Sequence, residues 1–135
     1  MSKVIIFSNE NGGVSTCVPT GEISIEAVLA KDCPVGALIV DVSTLPNDDS
    51  DFYNAWELAN GVVTVNLNKA KELTKARLRA EREPLLAAQD VAFQRALESG
   101  ADTSAIVAEK QRLRDVTALV DGCTTTAELR ALGVA

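Results

Sequence analysis

The side chains of this sequence that could do chemistry are carboxylates, amines, guanidinium groups and three thiols, because histidine is absent. Without an imidazole the Ser–His and Cys–His pairs, the commonest general base and most transition-metal sites drop out. An acid–base mechanism would have to rest on Asp, Glu, Lys or Cys with shifted pKa values. No carboxylate pair stands in a glycosidase or protease context. We therefore read the chain as non-enzymatic and assign it no catalytic residue, no metal and no cofactor. Asp48, Asp49 and Asp51 could offer oxygen ligands to a hard cation, but the segment lacks the Gly and Glu that an EF-hand loop requires at its sixth and twelfth positions. A solvated acidic loop is the preferred reading. Asn11-Gly12-Gly13 is read as a turn, since no Gly-Lys-Ser/Thr follows and the next element is a strand, not the helix of a phosphate loop.

Cys17, Cys33 and Cys123 are odd in number and widely spaced, with no CxxC and no histidine to complete a zinc site. Small buried or half-buried thiols are expected. A Cys17–Cys33 disulfide is the sharper alternative and would need an oxidising setting. The most pronounced charge feature is the basic run Lys69, Lys71, Lys75, Arg77, Arg79 and Arg82. At about 100° per helical residue, Lys71, Lys75 and Arg82 share one side, with Arg79 close by. Glu72, Glu81 and Glu83 interleave with the run, and no aromatic residue is placed for base stacking, which favours a solvated helix face over a nucleic-acid site. A further reading sets this stripe against an acidic surface of a second copy or a neighbouring protein, where complementary charge fixes register. Tyr53 and Trp56, the only tyrosine and tryptophan, stand three apart; the readings are core anchors or interface hot spots.

The elements that must position these residues change character near residue 68. Val4–Phe7 and Val14–Val18 read as strands joined by a turn over Asn9–Gly13. Ser24 is a good N-cap for a short helix carrying Ile25, Val28 and Leu29, which Pro34 and Gly36 stop. Ala37–Val42 reads as a strand and 46–51 as a loop. Trp56–Leu58, Asn60-Gly61 and Val62–Leu67 form a second hairpin, since Asn-Gly suits a type I′ turn. From Asn68, a plausible N-cap, residues 69–98 are rich in Ala, Leu, Lys, Arg and Glu and read as one long helix or as two meeting at Pro84. Leu78, Leu85, Leu86, Phe93 and Leu97 fall on its broad apolar face, and Ala80, Ala87, Ala88, Ala92 and Ala96 allow close approach of another helix. Gly100 is placed to end the helix, and Asp102 or Thr103 to cap the next. Ile106, Leu113, Val116 and Val120 mark one face of that second helix, expected to end near Asp121-Gly122. Thr125 with Glu128 forms a capping-box pattern for a last short helix over 127–132, closed by Gly133. The fold class is α+β: a small antiparallel β-rich module over 1–68 with two hairpins, a further strand and a short helix, then a helical hairpin module over 69–135.

Composition agrees with a folded chain of 135 residues, 47% of them hydrophobic and 24% charged. Aromatics make up only 4%, so the core must be built of Ala, Val, Leu and Ile. The net charge of −6 is unevenly placed. Residues 1–68 carry two basic against nine acidic side chains, whereas 69–135 carry eleven against ten. Nucleic acid is therefore not an expected partner of the whole chain. No apolar run approaches the ~18–20 residues of a membrane span, and the N-terminal apolar run is too short for a signal peptide. We expect no membrane partner and synthesis in the cytosol.

The segments Ile5–Ser15 (IIFSNENGGVS), Phe52–Leu58 (FYNAWEL) and Gly61–Ala70 (GVVTVNLNKA) occur in that order. Arg77-Leu78-Arg79 and Arg82–Val91 (REPLLAAQDV) follow, then Lys110–Thr117 (KQRLRDVT) and Thr124–Leu129 (TTTAEL). This arrangement, over nearly the whole chain, resembles a family of small proteins of tailed bacteriophages and prophages met among tail and tail-fibre genes. The resemblance implies a tail component or a fibre-associated assembly factor, and no catalytic residue comes with it. It implies a protein present in the host cytoplasm during assembly and in the virion tail, binding other tail or fibre proteins and forming a homo-oligomer or symmetric assembly. A capsid or head accessory protein, decorating or stabilising the shell, is the alternative. The candidate interface residues are Tyr53, Trp56, Lys71, Lys75, Arg79, Arg82, Leu85 and Phe93.

Overall fold

Two adjacent residues of the first strand, Ile5 and Ile6, are completely buried, so that strand must be covered on both faces. The computed structural model, which describes residues 2–135, shows how. β1 (Lys3–Ser8) is the middle strand of an antiparallel sheet ordered β2-β1-β3, with β2 at Val14–Cys17 and β3 at Leu38–Asp41. Register pairs Ile5 with Cys17 and Ile39, and Ile6 with Thr16 and Leu38. Val4, Ile6 and Val14 pack with Trp56 and Val63 of a second hairpin, β4 (Trp56–Ala59) and β5 (Val62–Val65). The Ile5 face is covered by α1 (Ile25–Asp32), which packs on β1 and β3 and buries Val28. Ser24 caps α1, its hydroxyl accepting from the Ala27 N–H at 3.2 Å. The hairpin turn is formed by Asn60 and Gly61 at φ 53° and 77°, the left-handed pair that a type I′ turn demands.

The chain divides into two compact units, one ending at Ala70 and the other spanning Lys71–Ala135. α2 runs from Leu67 to Ser99 without interruption, so Pro84 lies inside a single helix of 33 residues. Its cap is Asn66, not Asn68: the Asn66 Oδ1 accepts from the Lys69 N–H at 3.1 Å. The Asn66 amide also donates to Glu57 at 2.8 Å, and Glu57 pairs with Lys69 at 3.0 Å, which fixes the capping side chain in place. Gly100, at φ 72°, ends α2 in a Schellman arrangement, with Gly100 N–H on the Leu97 carbonyl and Ala101 N–H on that of Ala96.

Of the two expected caps for α3 (Ser104–Asp115), Asp102 does the work, its Oδ1 accepting from the Ser104 N–H at 3.0 Å and hydroxyl at 2.6 Å. The helix ends at Asp115 and tightens into a 3-10 segment, Val116–Gly122, instead of continuing to the expected end as regular α-helix. α4 (Thr126–Ala131) is capped by Thr125, whose Oγ1 accepts from the Glu128 N–H. It stops at an extended Leu132, so Gly133 plays no part in closing it. The acidic stretch expected as an open loop is instead folded into short 3-10 turns over Asn47–Ala55, because Phe52 and Ala55 are drawn into the core. Among the described residues no helix is long and apolar enough to cross a membrane.

Candidate interaction interface

Most of the basic stripe is spent on the helical unit itself. A helix C-terminus presents carbonyls with no intrahelical donor and carries partial negative charge, so a nearby cation is stabilising. α2 supplies such a cation to three successive elements. Arg82 donates to the carbonyls of Leu113 and Arg114 in the last turn of α3, at 3.3 and 2.9 Å. Lys71 and Lys75 meet Asp121 at the end of the 3-10 segment, Lys71 through the carbonyl at 3.5 Å and Lys75 through the carboxylate at 3.0 Å. Arg77 donates to the carbonyls of Leu129 and Leu132 around the end of α4, at 3.2 and 2.8 Å, and pairs with Glu81. The Asp121 contact raises the Lys75 pKa above the ordinary lysine value. Farther along, Lys110 pairs with Asp90 at 2.6 Å and lies 5.2 Å from the centre of the Phe93 ring. These pairings run in opposite sequence directions, so α2 and α3 are antiparallel. Arg79 is the stripe residue left exposed; it borders an open groove of about 410 Å³ with Arg82, Glu83, Leu86, Ala87 and Asp90.

The two aromatic candidates part company. Trp56 is 4% exposed, its ring in the β-rich core and its indole N–H donating to the Asp49 carbonyl at 3.2 Å. It offers no surface to a partner while the unit stays folded. Tyr53 is 36% exposed, stacks obliquely on Trp56 with ring centres 4.9 Å apart, and shares a 2.8 Å hydrogen bond with the Thr16 hydroxyl. It forms the rim of a small polar recess with Asn9, Asn11, Gly13 and Asn54.

The apolar face of α2 is unevenly used. Thr74 and Leu78 before Pro84 are buried, as are Leu113, Val116, Val120, Cys123 and Leu129 later in the unit. Beyond Pro84 the only buried residue of α2 is Ala96. Phe93 and Leu86 are half-buried, whereas Leu85, Val91 and Leu97 are 41, 51 and 55% exposed, and Val107 on the facing helix is 50% exposed. Leu85, a candidate interface residue, and Leu97 therefore lie at the surface, although both fall on the broad apolar face. A two-helix layer has only one inner seam, and residues flanking that seam stay in water. Sequence reasoning missed Val91 and Val107 because they lie off the expected stripes. The available signal was a β-branched apolar residue on an otherwise polar helix face.

The site residues thus fall into separate groups: a cation ladder inside the helical unit, an aromatic pair in the β-rich unit, and an exposed apolar set on the far half of the helical hairpin. No group of three or more Cys, Asp or Glu side chains among the described residues is arranged to hold a metal ion. Compared with protein-family models, with curated proteins and with solved structures, the chain has no significant match.

Proposed function

We propose that this chain is a non-enzymatic tail or tail-fibre-associated assembly protein of a tailed bacteriophage, acting by protein–protein contact through the far half of its helical hairpin. The observation that carries the reading is the exposure of Leu85, Val91, Leu97 and Val107 on a hairpin whose buried residues lie almost wholly elsewhere. Branched aliphatic side chains held in water on a rigid helical layer are stabilised by docking against another protein, at roughly 25 cal/mol per Å² of apolar area removed. The absence of histidine and the ordered motifs shared in resemblance with phage tail proteins support the same reading. The engagement of Lys71, Lys75, Arg77 and Arg82 within the unit leaves little of the stripe for phosphate.

Quantitative mass spectrometry of purified particles, alongside the lysate in which they assemble, tests it. A fixed, symmetry-related copy number in isolated tails supports a structural component. Abundance in the lysate, scarcity in particles and association with a tail or fibre protein supports an assembly factor. Fixed copies on tail-less heads, or a monomer associated with no tail protein, would overturn the proposal, the former in favour of a shell accessory.

A further inference from the structure

α1 is a weakly anchored element. It has eight residues, and Val28 is the only one of them that is buried. Its C-cap is Cys33, in extended conformation just where the helix stops. On the sheet below, Cys17 closes β2 in register with Ile5 and so points to the face that α1 covers. Both thiols are half-buried and free, and Cys17 lines the same groove as Lys31 and Asp32, the two residues that lead into Cys33. This groove of about 390 Å³ is lined also by Val18, Ile23 and Val28. The third cysteine, Cys123, is buried in the other unit.

We propose that Cys17 and Cys33 are a redox-active pair that closes to an intramolecular disulfide by exchange with a low-molecular-weight disulfide, tethering α1 to the edge strand of the sheet. In the first step the Cys17 thiolate attacks one sulfur of the small disulfide, forming a mixed disulfide and releasing one thiolate. In the second, Cys33 loses its proton to solvent and its sulfur attacks that of Cys17, releasing the second thiolate. The two cysteine sulfurs together give up two electrons, the small disulfide accepts them, and both protons end on the released thiols. Partial burial, the neighbouring Cys17 and Asp32 raise the Cys33 pKa, which disfavours its thiolate as the first attacking group. The tether joins the end of a helix with one buried residue to a strand paired with the central strand of the sheet, so oxidation would fix α1 where reduction leaves it free to lift.

The test uses the full-length chain equilibrated with oxidised and reduced glutathione, then acid-quenched, alkylated and weighed. The expected product is lighter than the dithiol by about 2 Da, the two hydrogens lost in forming one disulfide. Trypsin cuts after Lys31, between the two cysteines, so the link should join peptide 4–31 to peptide 32–69. Cys17→Ser and Cys33→Ser should each lose that link and instead carry glutathione on the remaining thiol, whereas Cys123→Ser should keep it. Oxidised protein should melt about 5–10 °C higher than reduced protein, as expected for closing a loop of this length. Glutathione retained on Cys17 without closure, a link to Cys123, or a link only between two molecules would overturn the proposal.

Discussion

Arg77 and Arg79 stand two residues apart on the same helix, carry the same charge and have different tasks. Arg77 satisfies two carbonyls at the end of α4, so Arg77→Ala should destabilise the chain by about 1–2 kcal/mol, allowing for partial exposure. Arg79→Ala should change it by less than about 0.5 kcal/mol. Chemical denaturation checks the contrast, and equal effects would remove the ladder's structural role. The charged contacts also set a pH response. The Ser104 hydroxyl and N–H lower the Asp102 pKa, and Asn66 and Lys69 lower that of Glu57. Their stabilisation is present above the ordinary carboxylate range near about pH 4 and is lost as pH falls through the lower folded values. Lys75 acts in the opposite direction. Its contribution is complete below the ordinary lysine value of about 10.4 and is lost as pH rises through its higher folded value. In thermal melts, Asp102→Ala should therefore lower the midpoint at neutral pH and approach wild type only as pH falls below the ordinary aspartate range. Lys75→Met should show its deficit at neutral pH and lose it only in strong alkali. The stripe itself was legible in the sequence, but its use was not, because the carbonyls that Arg77 reaches lie 52 and 55 residues away.

At the scale of elements, local signals located nearly every helix and strand, and long-range contacts decided their ends. Asn66 and Asn68 are equally good caps by residue type. Glu57, from the facing strand, takes the Asn66 amide and settles the matter in favour of Asn66. Asn66→Ala should cost about 1 kcal/mol and Asn68→Ala close to nothing, measured by denaturation midpoint. Pro84 left open a kink or a break, and the helix runs through it. Pro84 and Ala80, whose carbonyl loses its donor, are both exposed, so water can satisfy the carbonyl that the missing N–H would have met. Pro84→Ala should restore that bond and raise stability by up to about 3 kcal/mol, read as a higher melting midpoint. The 3-10 turns of Asn47–Ala55 were illegible because their cause is burial of Phe52 and Ala55 in the core, which no local pattern of Asp and Ser announces.

For the molecule as a whole, composition and charge pointed to the α+β architecture. A β-rich part with nine acidic and two basic side chains and a helical part holding almost all the basic ones are both present in the structure. The sequence named Leu85 among the candidate interface residues but not the other members of the surplus apolar surface, the exposed Val91, Leu97 and Val107. Leu85 shares helical spacing with the buried Leu78 and Leu97 lies about 100° round the helix from it, yet beyond Pro84 the hairpin has only its partner helix to cover it. That surplus is the basis of the proposed contact with a tail or fibre protein, and it can be removed without touching the cation ladder. Co-expression of the tagged chain with tail and fibre proteins encoded in the same genome, followed by purification with and without the double substitution Leu85→Glu and Val91→Glu, tests this most directly. The account predicts that wild type retains one of those proteins at a fixed ratio, and that the variant, melting within about 3 °C of wild type as exposed-site substitutions should, loses it. Equal retention by both proteins, or a wild-type chain that elutes alone as a monomer, would contradict it.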